Sequence, residues 1–316
     1  MKRVLLSAIL LAAAASAAVE MKKADGRVDV VIGGKPFTTF FFGPDAHKPY
    51  LHPLRTAEGL VVTRSFPMES GVEGETKDHP HHQGLWFTHG DVNGLDFWAN
   101  SKLTPKHGRV VLDRSVPMRV QGGAKTGMIQ ASFNWVTPDG KTLVKEERRM
   151  TFYDEPGLRT VDVDVTLNAA GQPVKFGDTK EGTFAIRISD KMTEKAKGGV
   201  MTSSTGATTM KEVWGKPFPW VDYAGTIDGT PVGITIMDHP QNPGHPTHWH
   251  ARDYGLFAAN IFGHHDFYRD KTKDGSASLE PGKPWRFRYR VVVHPGLTGD
   301  AKIGDLFDSY VRANFN

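Results

Sequence analysis

"GMIQASFNWVTPDGKTLVKEERRMTFYDEPGLRTVDVDVTLNAA", Gly127 to Ala170, decides the fold class of this chain. Near its end Val161, Val163, Val165 and Leu167 alternate with Asp162, Asp164 and Thr166. A period of two over that length belongs to a strand with one buried face, because a helix repeats every 3.6 residues. Two turn signals, Pro138-Asp139-Gly140 and Asp154-Glu155-Pro156-Gly157, cut the stretch into hairpin-linked strands.

The pattern extends in both directions. "RVDVVIGGKPFTTFFFG" (27–43) predicts two strands about a Gly33-Gly34 turn, and "GLVVTRSF" (59–66) and "GRVVLDRSVPMRV" (108–120) predict more. In "WRFRYRVVV" (285–293) Trp285, Phe287 and Tyr289 alternate with Arg286, Arg288 and Arg290, so one face is buried and the other wet. The arginine row reads as a solvated sheet face, with an anion site as the alternative. Helix is expected only in "SDKMTEKAKG" (189–198) and at the C-terminal "IGDLFDSYVRANF" (303–315). Long strands linked by hairpins make antiparallel sheets, and two such sheets bury their apolar faces against each other. We expect an all-β protein, one large, mainly antiparallel β-sandwich over residues 19–316; a closed barrel is the structural alternative.

Composition narrows the chemistry. The 316 residues include no cysteine, so there is no thiol nucleophile, disulfide or thiolate metal site. Residues 1–18 have a basic start, an apolar run and small residues at Ala15 and Ala17, the form of a secretory signal peptide. That predicts a periplasmic or secreted protein without stable membrane insertion, since the run is too short to span a bilayer comfortably. Removing it leaves 37 basic against 35 acidic side chains, a charge of +2, with the basic residues scattered. Nucleic acid is not an expected partner.

Two segments concentrate histidine. "DHPHHQGLWFTHGDVNGLDFW" (78–98) carries His79, His81, His82 and His89. "MDHPQNPGHPTHWHARDYGLFAANIFGHHDF" (237–267) carries His239, His245, His248, His250, His264 and His265. Pro80, Pro240 and Pro246 are expected to hold the preceding histidines extended. Both segments are polar loops broken by proline, and loops at sheet edges carry sites. We expect at least four of His81, His82, Glu181, His239, His248 and His250 to line one pocket. Self-satisfied loop histidines are the bland alternative for most of them. Trp98 and Trp249 could wall a sugar, whose C–H face suits an indole. Asn93 and Arg252 have the chemistry to take its hydroxyls. Trp249 alternates with His248 and His250, so on a regular strand the two histidines and the tryptophan cannot face the same ligand.

"KEGTFAIRISD" (180–190) adds Glu181 just before a strand and Arg187 six residues on. Glu181 could take a proton from a hydroxyl or an α-carbon. Arg187 could bind a carboxylate or steady Glu181, with a surface ion pair as the plain alternative. No GxSxG elbow, phosphate loop, dinucleotide motif or HExxH is present. What remains is histidine–carboxylate acid–base chemistry. The candidate catalytic residues are His82 or His250 as general acid and Glu181 as base. The candidate substrate-binding residues are His81, Asn93, Trp98, Arg187, His239, His248, Trp249 and Arg252. No resident cofactor is predicted, although three imidazoles from the two loops leave room for a divalent metal.

"KPYLHPLRT", "VTRSFPM", "DHPHHQGLWFTHGDVNGLDFW", "EGTFAIR", "WVDYAGTIDG" and "DHPQNPGHPTHWHARDYGLFAANIFG" together resemble a bacterial family of unknown function whose members carry a methane-oxygenase-like label. The resemblance runs from about Pro36 to Pro295. The label points to a membrane-embedded oxygenase, which this chain has no segment to match, so that activity is not carried over. The setting of the family implies a small sugar or oligosaccharide as ligand. Gln83 and Gly244 stand where the family often has a basic residue. The sandwich also loosely resembles aldose-epimerase-like domains, which open and close a sugar ring with histidines and a carboxylate. The two histidine segments and the isolated acid, with the signal segment and the sugar setting of the family, lead us to expect an exported carbohydrate-active epimerase, lyase or hydrolase. The alternatives are a non-catalytic carbohydrate-binding protein and a histidine-ligated metal enzyme.

Overall fold

A computed structural model describes residues 18–70 and 72–312. The expected signal segment, apart from Ala18, lies outside the described residues. Strands hold 46 % of the chain and helices 7 %, which settles the all-β class. Eight strands form one sheet in the order Val19–Ala24, Arg27–Ile32, Lys35–Phe41, Tyr50–His52, Leu85–His89, Gly182–Arg187, Leu256–Asn260 and His248–Ala251. A second sheet runs Gly199–Ser203, Trp220–Ile227, Thr230–Asp238, Trp285–Pro295, Leu158–Ala169, Thr142–Glu155, Thr126–Val136 and Arg109–Leu112, with Arg119–Gln121 also paired to Thr126–Val136. Neighbouring strands in both sheets are antiparallel.

The alternation read from the sequence sets the core. Val161, Val163, Val165 and Leu167 are buried beside Phe287, Tyr289, Val291 and Val293 of the neighbouring strand. They belong to one apolar cluster with Val28, Val30, Phe40, Phe87, Phe184, Phe257 and Trp249 from the eight-stranded sheet. Both hairpin turns form where the glycines can take a left-handed backbone, Gly140 at φ 87° and Gly157 at φ 74°. The arginine row is a paired sheet face: Arg286 meets Asp164 and Arg290 meets Asp162 on the adjacent strand.

Two local expectations change. "GLVVTRSF" forms no regular strand; it runs as chain making single bridges, Arg55 to Val61 and Thr63 to Ile188, while Val62 plugs the core. "SDKMTEKAKG" supplies only the 3-10 turn Asp190–Met192. The C-terminal helix forms over Ile303–Arg312 and packs Ile303 and Tyr310 on Met237 and Val292, covering part of the outward face of the nine-stranded sheet. No described helix is long and apolar enough to cross a membrane.

Candidate functional site

The outward face of the eight-stranded sheet carries the chemistry. Strand register places Tyr50, Trp86, Ala185, Ala258 and His250 in one row across five strands. The next row holds Thr88, Thr183, Asn260 and His248. Ala185 and Ala258 are the smallest members, so the first row dips between the indole of Trp86 and the imidazole of His250. Side chains on this face alternate with Phe87, Phe184, Ile186, Phe257 and Trp249, which point into the core.

The segment from Asp78 to His82 folds over this floor. Arg64 and Arg187, both buried, hold the carboxylate of Asp78, and Arg64 also donates to the carbonyl of His79 at 3.0 Å. The N–H of His82 donates to the carbonyl of His79 at 2.9 Å, closing a turn. His79 takes φ 45° there, not the extended backbone expected before proline. A non-glycine residue in that region is strained and is held by its surroundings. Its ring is clamped between Tyr254, at 5.2 Å, and His82, at 4.8 Å, both nearly parallel to it. His82 in turn stacks on Trp86 at 5.4 Å and meets Trp98 edge-on at 6.0 Å.

Hydrogen bonds fix two opposite tautomers. Arg187 can only donate, so at 3.3 Å it makes Nδ1 of His82 the acceptor and leaves the proton on Nε2. Nδ1 of His250 donates to the carbonyl of Lys180 at 2.8 Å, so its Nε2 carries the lone pair. Burial pushes both imidazoles down, His250 to about 3 and His82 well below its usual value. His81 is also pushed down by burial, to about 3. Burial disfavours the charged form of all three rings, which runs against a general-acid role for His82 and His250. Glu181 moves the other way: burial raises its carboxyl above the ordinary range, opposed by Lys180 at 3.4 Å. His79 packs against His81 and His82 and lies within electrostatic reach of Glu181 and His250.

Three buried N–H or imidazole nitrogens of this cluster, Nε2 of His82 and Nε1 of Trp86 and of Trp98, have no hydrogen-bond partner among the described residues. An unmade bond at a buried donor costs about 1–3 kcal/mol, so three in one cluster of rings are a local departure from the usual pairing of buried polar groups. Lys48 lies beside them. It is fully buried, donates to the carbonyl of Trp98 at 2.6 Å and to Oδ1 of Asn100 at 2.9 Å, and sits 5.6 Å from the centre of the Trp86 ring. Burial brings its ammonium down to about 7, partly offset by Asp96.

The other expected residues divide. Trp98 belongs to the cluster. Arg187 is committed to Asp78 and to the tautomer of His82. Arg252 places its guanidinium 5.6 Å from the centre of Tyr254. His248 shares the face with His250 but stands one row away, bonded to the hydroxyl of Tyr268 at 2.9 Å and packed on Phe267. Three expectations are corrected. Trp249 faces the core, fully buried, with its indole donating to the carbonyl of Phe218, so it is no ligand wall. His239 follows a strand of the other sheet and packs on Tyr310, because the second histidine segment crosses between sheets at Asn242 to Thr247. Asn93 is a turn residue whose side chain and backbone are bonded to Lys175. Sequence reasoning missed His79 and Lys48 as site residues. The Asp78-His79 pair was a signal for the first; nothing in "HKPY" marked the second.

The group able to share a cation, among the described residues, is Asp178, His265 and Asp274, with one ligand atom each within 4.8 Å. The three-imidazole centre drawn from both loops does not form. Asp178 already accepts from the N–H groups of His265 and Gly275, which ties the 263–275 loop to the sheet.

In solved structures the chain resembles an α-galactosidase from Geobacillus stearothermophilus (8 % identity, TM-score 0.42, 88 % of this chain and 41 % of that one). It also resembles a heparan sulfate lyase from Pedobacter heparinus (9 %, 0.40, 89 % and 35 %). A galactose mutarotase-related enzyme from Lactobacillus acidophilus matches at 10 % identity and TM-score 0.34, covering 89 % of this chain and 98 % of that one. The chain thus spans about two fifths of the galactosidase and a third of the lyase. No curated protein matches its sequence. A family model of unknown function, DUF6807, matches residues 27–308, and the chain belongs to that family.

Proposed function

We propose that this chain is an exported carbohydrate-active enzyme that moves protons on a sugar or glycoside bound at the outward face of the eight-stranded sheet. The carrying observation is the cluster of buried, unpartnered nitrogens on His82, Trp86 and Trp98, with His250 in the same strand row as Trp86. Indole rings offer a surface to the C–H face of a sugar, and their N–H groups bind its oxygens. Glu181, raised by burial, would deliver a proton, and Nε2 of His250 would receive one. That reverses the roles assigned from sequence alone. His82 would donate from Nε2 as a neutral group, fixed by Arg187. His79, with Nδ1 3.2 Å from Asp78, would hold a second lone pair over the same floor.

The test is product formation. The chain, incubated with a panel of neutral and acidic sugars and glycosides, should convert at least one, read by mass spectrometry and by exchange of solvent deuterium. Glu181→Gln and His250→Ala should each lower turnover by about 10²–10⁴ while the unfolding midpoint changes little. Saturable binding with every sugar recovered unchanged would make the protein a binding module instead.

A further inference from the structure

A cavity of about 480 Å³ opens next to the histidine site and shares Arg252 with it. Its wall includes Lys211, Trp214, Lys216, Phe267 and Arg269, and every charged side chain that lines it is basic. Elsewhere this protein pairs its clustered arginines with aspartates, as Arg290 with Asp162 and Arg286 with Asp164. Here four cations face one space with no carboxylate among the described lining residues. Crowding like charges is unfavourable and creates a positive field in a concave site, which an anion relieves. Two donors of the lining residues, Nε1 of Trp214 and Nε of Arg252, are buried and have no hydrogen-bond partner among the described residues. Trp214 meets Phe267 edge-on at 5.8 Å and lies under Arg269, with Cζ 6.0 Å from the ring centre. The volume falls within the range of small-molecule pockets, room for one or two sugar units.

Resting on the sugar reading above, we infer that this cavity is a subsite for an anionic saccharide unit, with Arg252 as the wall between it and the reacting unit. Arg252 is placed for that task. It follows His250 by two residues on the same outward side, and its guanidinium lies against Tyr254, which stacks on His79. A carboxylate or sulfate ester in the cavity would meet cations on several sides and an indole N–H. The sugar ring carrying it would lie on Trp214. A neutral saccharide would leave the four charges uncompensated.

Calorimetric titration of the whole chain with D-galactose, D-galacturonate and D-galactose 6-sulfate at low salt tests this. At least one acidic sugar should bind about tenfold more tightly than galactose, and the preference should shrink as salt is added. A preference for galacturonate assigns a carboxylate, and one for the 6-sulfate a sulfate ester. Lys211→Glu with Lys216→Glu, both exposed side chains, should abolish the preference, with the melting midpoint checking that the fold is kept. Equal binding of all three sugars would overturn this inference and leave the sugar reading standing. The same holds if the charge-reversed variant keeps the acidic preference. Binding of none of the three, with none bound or converted in the wider panel, would overturn both.

Discussion

On the outward face of the nine-stranded sheet, two buried carboxylates gather donors around them. Asp162 accepts from Nε and Nη2 of Arg290 at 2.7 and 2.8 Å and from the hydroxyl of Tyr153 at 2.6 Å. Asp222 accepts from Thr235, Thr298 and His294. On the outward face of the eight-stranded sheet, equally buried nitrogens of His82, Trp86 and Trp98 stay unmatched, and the imidazoles are driven neutral. The carboxylates on one side are thus surrounded by donors, while the ring cluster on the other side carries buried donors without an acceptor among the described residues.

Acid should produce the largest contrast. Burial holds His52 and His89 at about 4 and His250 at about 3 in the folded chain, against roughly 6.5 when unfolded. The unfolded state therefore takes up protons that the folded state refuses. The stability these groups contribute is fully present above about pH 6.5 and is lost as pH falls toward their folded values. Urea denaturation midpoints should drop steeply between about pH 6.5 and 4, by several kcal/mol in all. A flat profile there would mean that these imidazoles are not held neutral.

Breaking a completed network should come next. Asp162→Ala strands Arg290 against Tyr153 and Tyr310 and should cost about 3–5 kcal/mol in chemical denaturation. Gly233→Ala follows. His294 reaches Asp222 across the strand at Gly233, and a Cβ there would stand 2.3 Å from the ring. The loss expected is about 1–3 kcal/mol, and a wild-type midpoint would show that the ring can move aside without penalty.

His294 also predicts the opposite pH sign on this side of the molecule. Asp222 raises its imidazole against the cost of burial. Its contribution is complete below about pH 6.5 and lost as pH rises through the higher folded value. His294→Gln should remove that alkaline slope from the denaturation profile and leave the acid limb unchanged. The smallest effect belongs to Trp98→Phe. Its indole N–H has no partner among the described residues, so the free chain should lose only packing in the ring cluster, about 1 kcal/mol, while sugar binding weakens. Loss of stability without loss of binding would return Trp98 to an ordinary core role.

The strands that build both faces were legible in the sequence because a period of two leaves a mark at every residue, as at Val161 to Leu167. The partition of function between the faces was not. His239 and His248 are nine residues apart, yet the chain changes sheets between them, and no local pattern records such a crossing. Trp249 was readable as a conditional: once His248 and His250 face outward, alternation sends it inward. Lys48 is a short loop residue whose role depends on Trp98 and Asn100, some fifty residues away. The opposite shifts of Glu181 and His250 come from burial, which spacing along the chain does not encode.

The four-ring pile of Tyr254, His79, His82 and Trp86 gives this molecule a built-in optical probe. Trp86 and Trp98, with ring centres 5.0 Å apart, should couple in the near-ultraviolet circular dichroism. A protonated imidazole quenches a neighbouring indole more strongly than a neutral one. Any ligand that shifts a proton onto His82, or slides between the rings, should therefore announce itself in tryptophan emission before its chemistry is known.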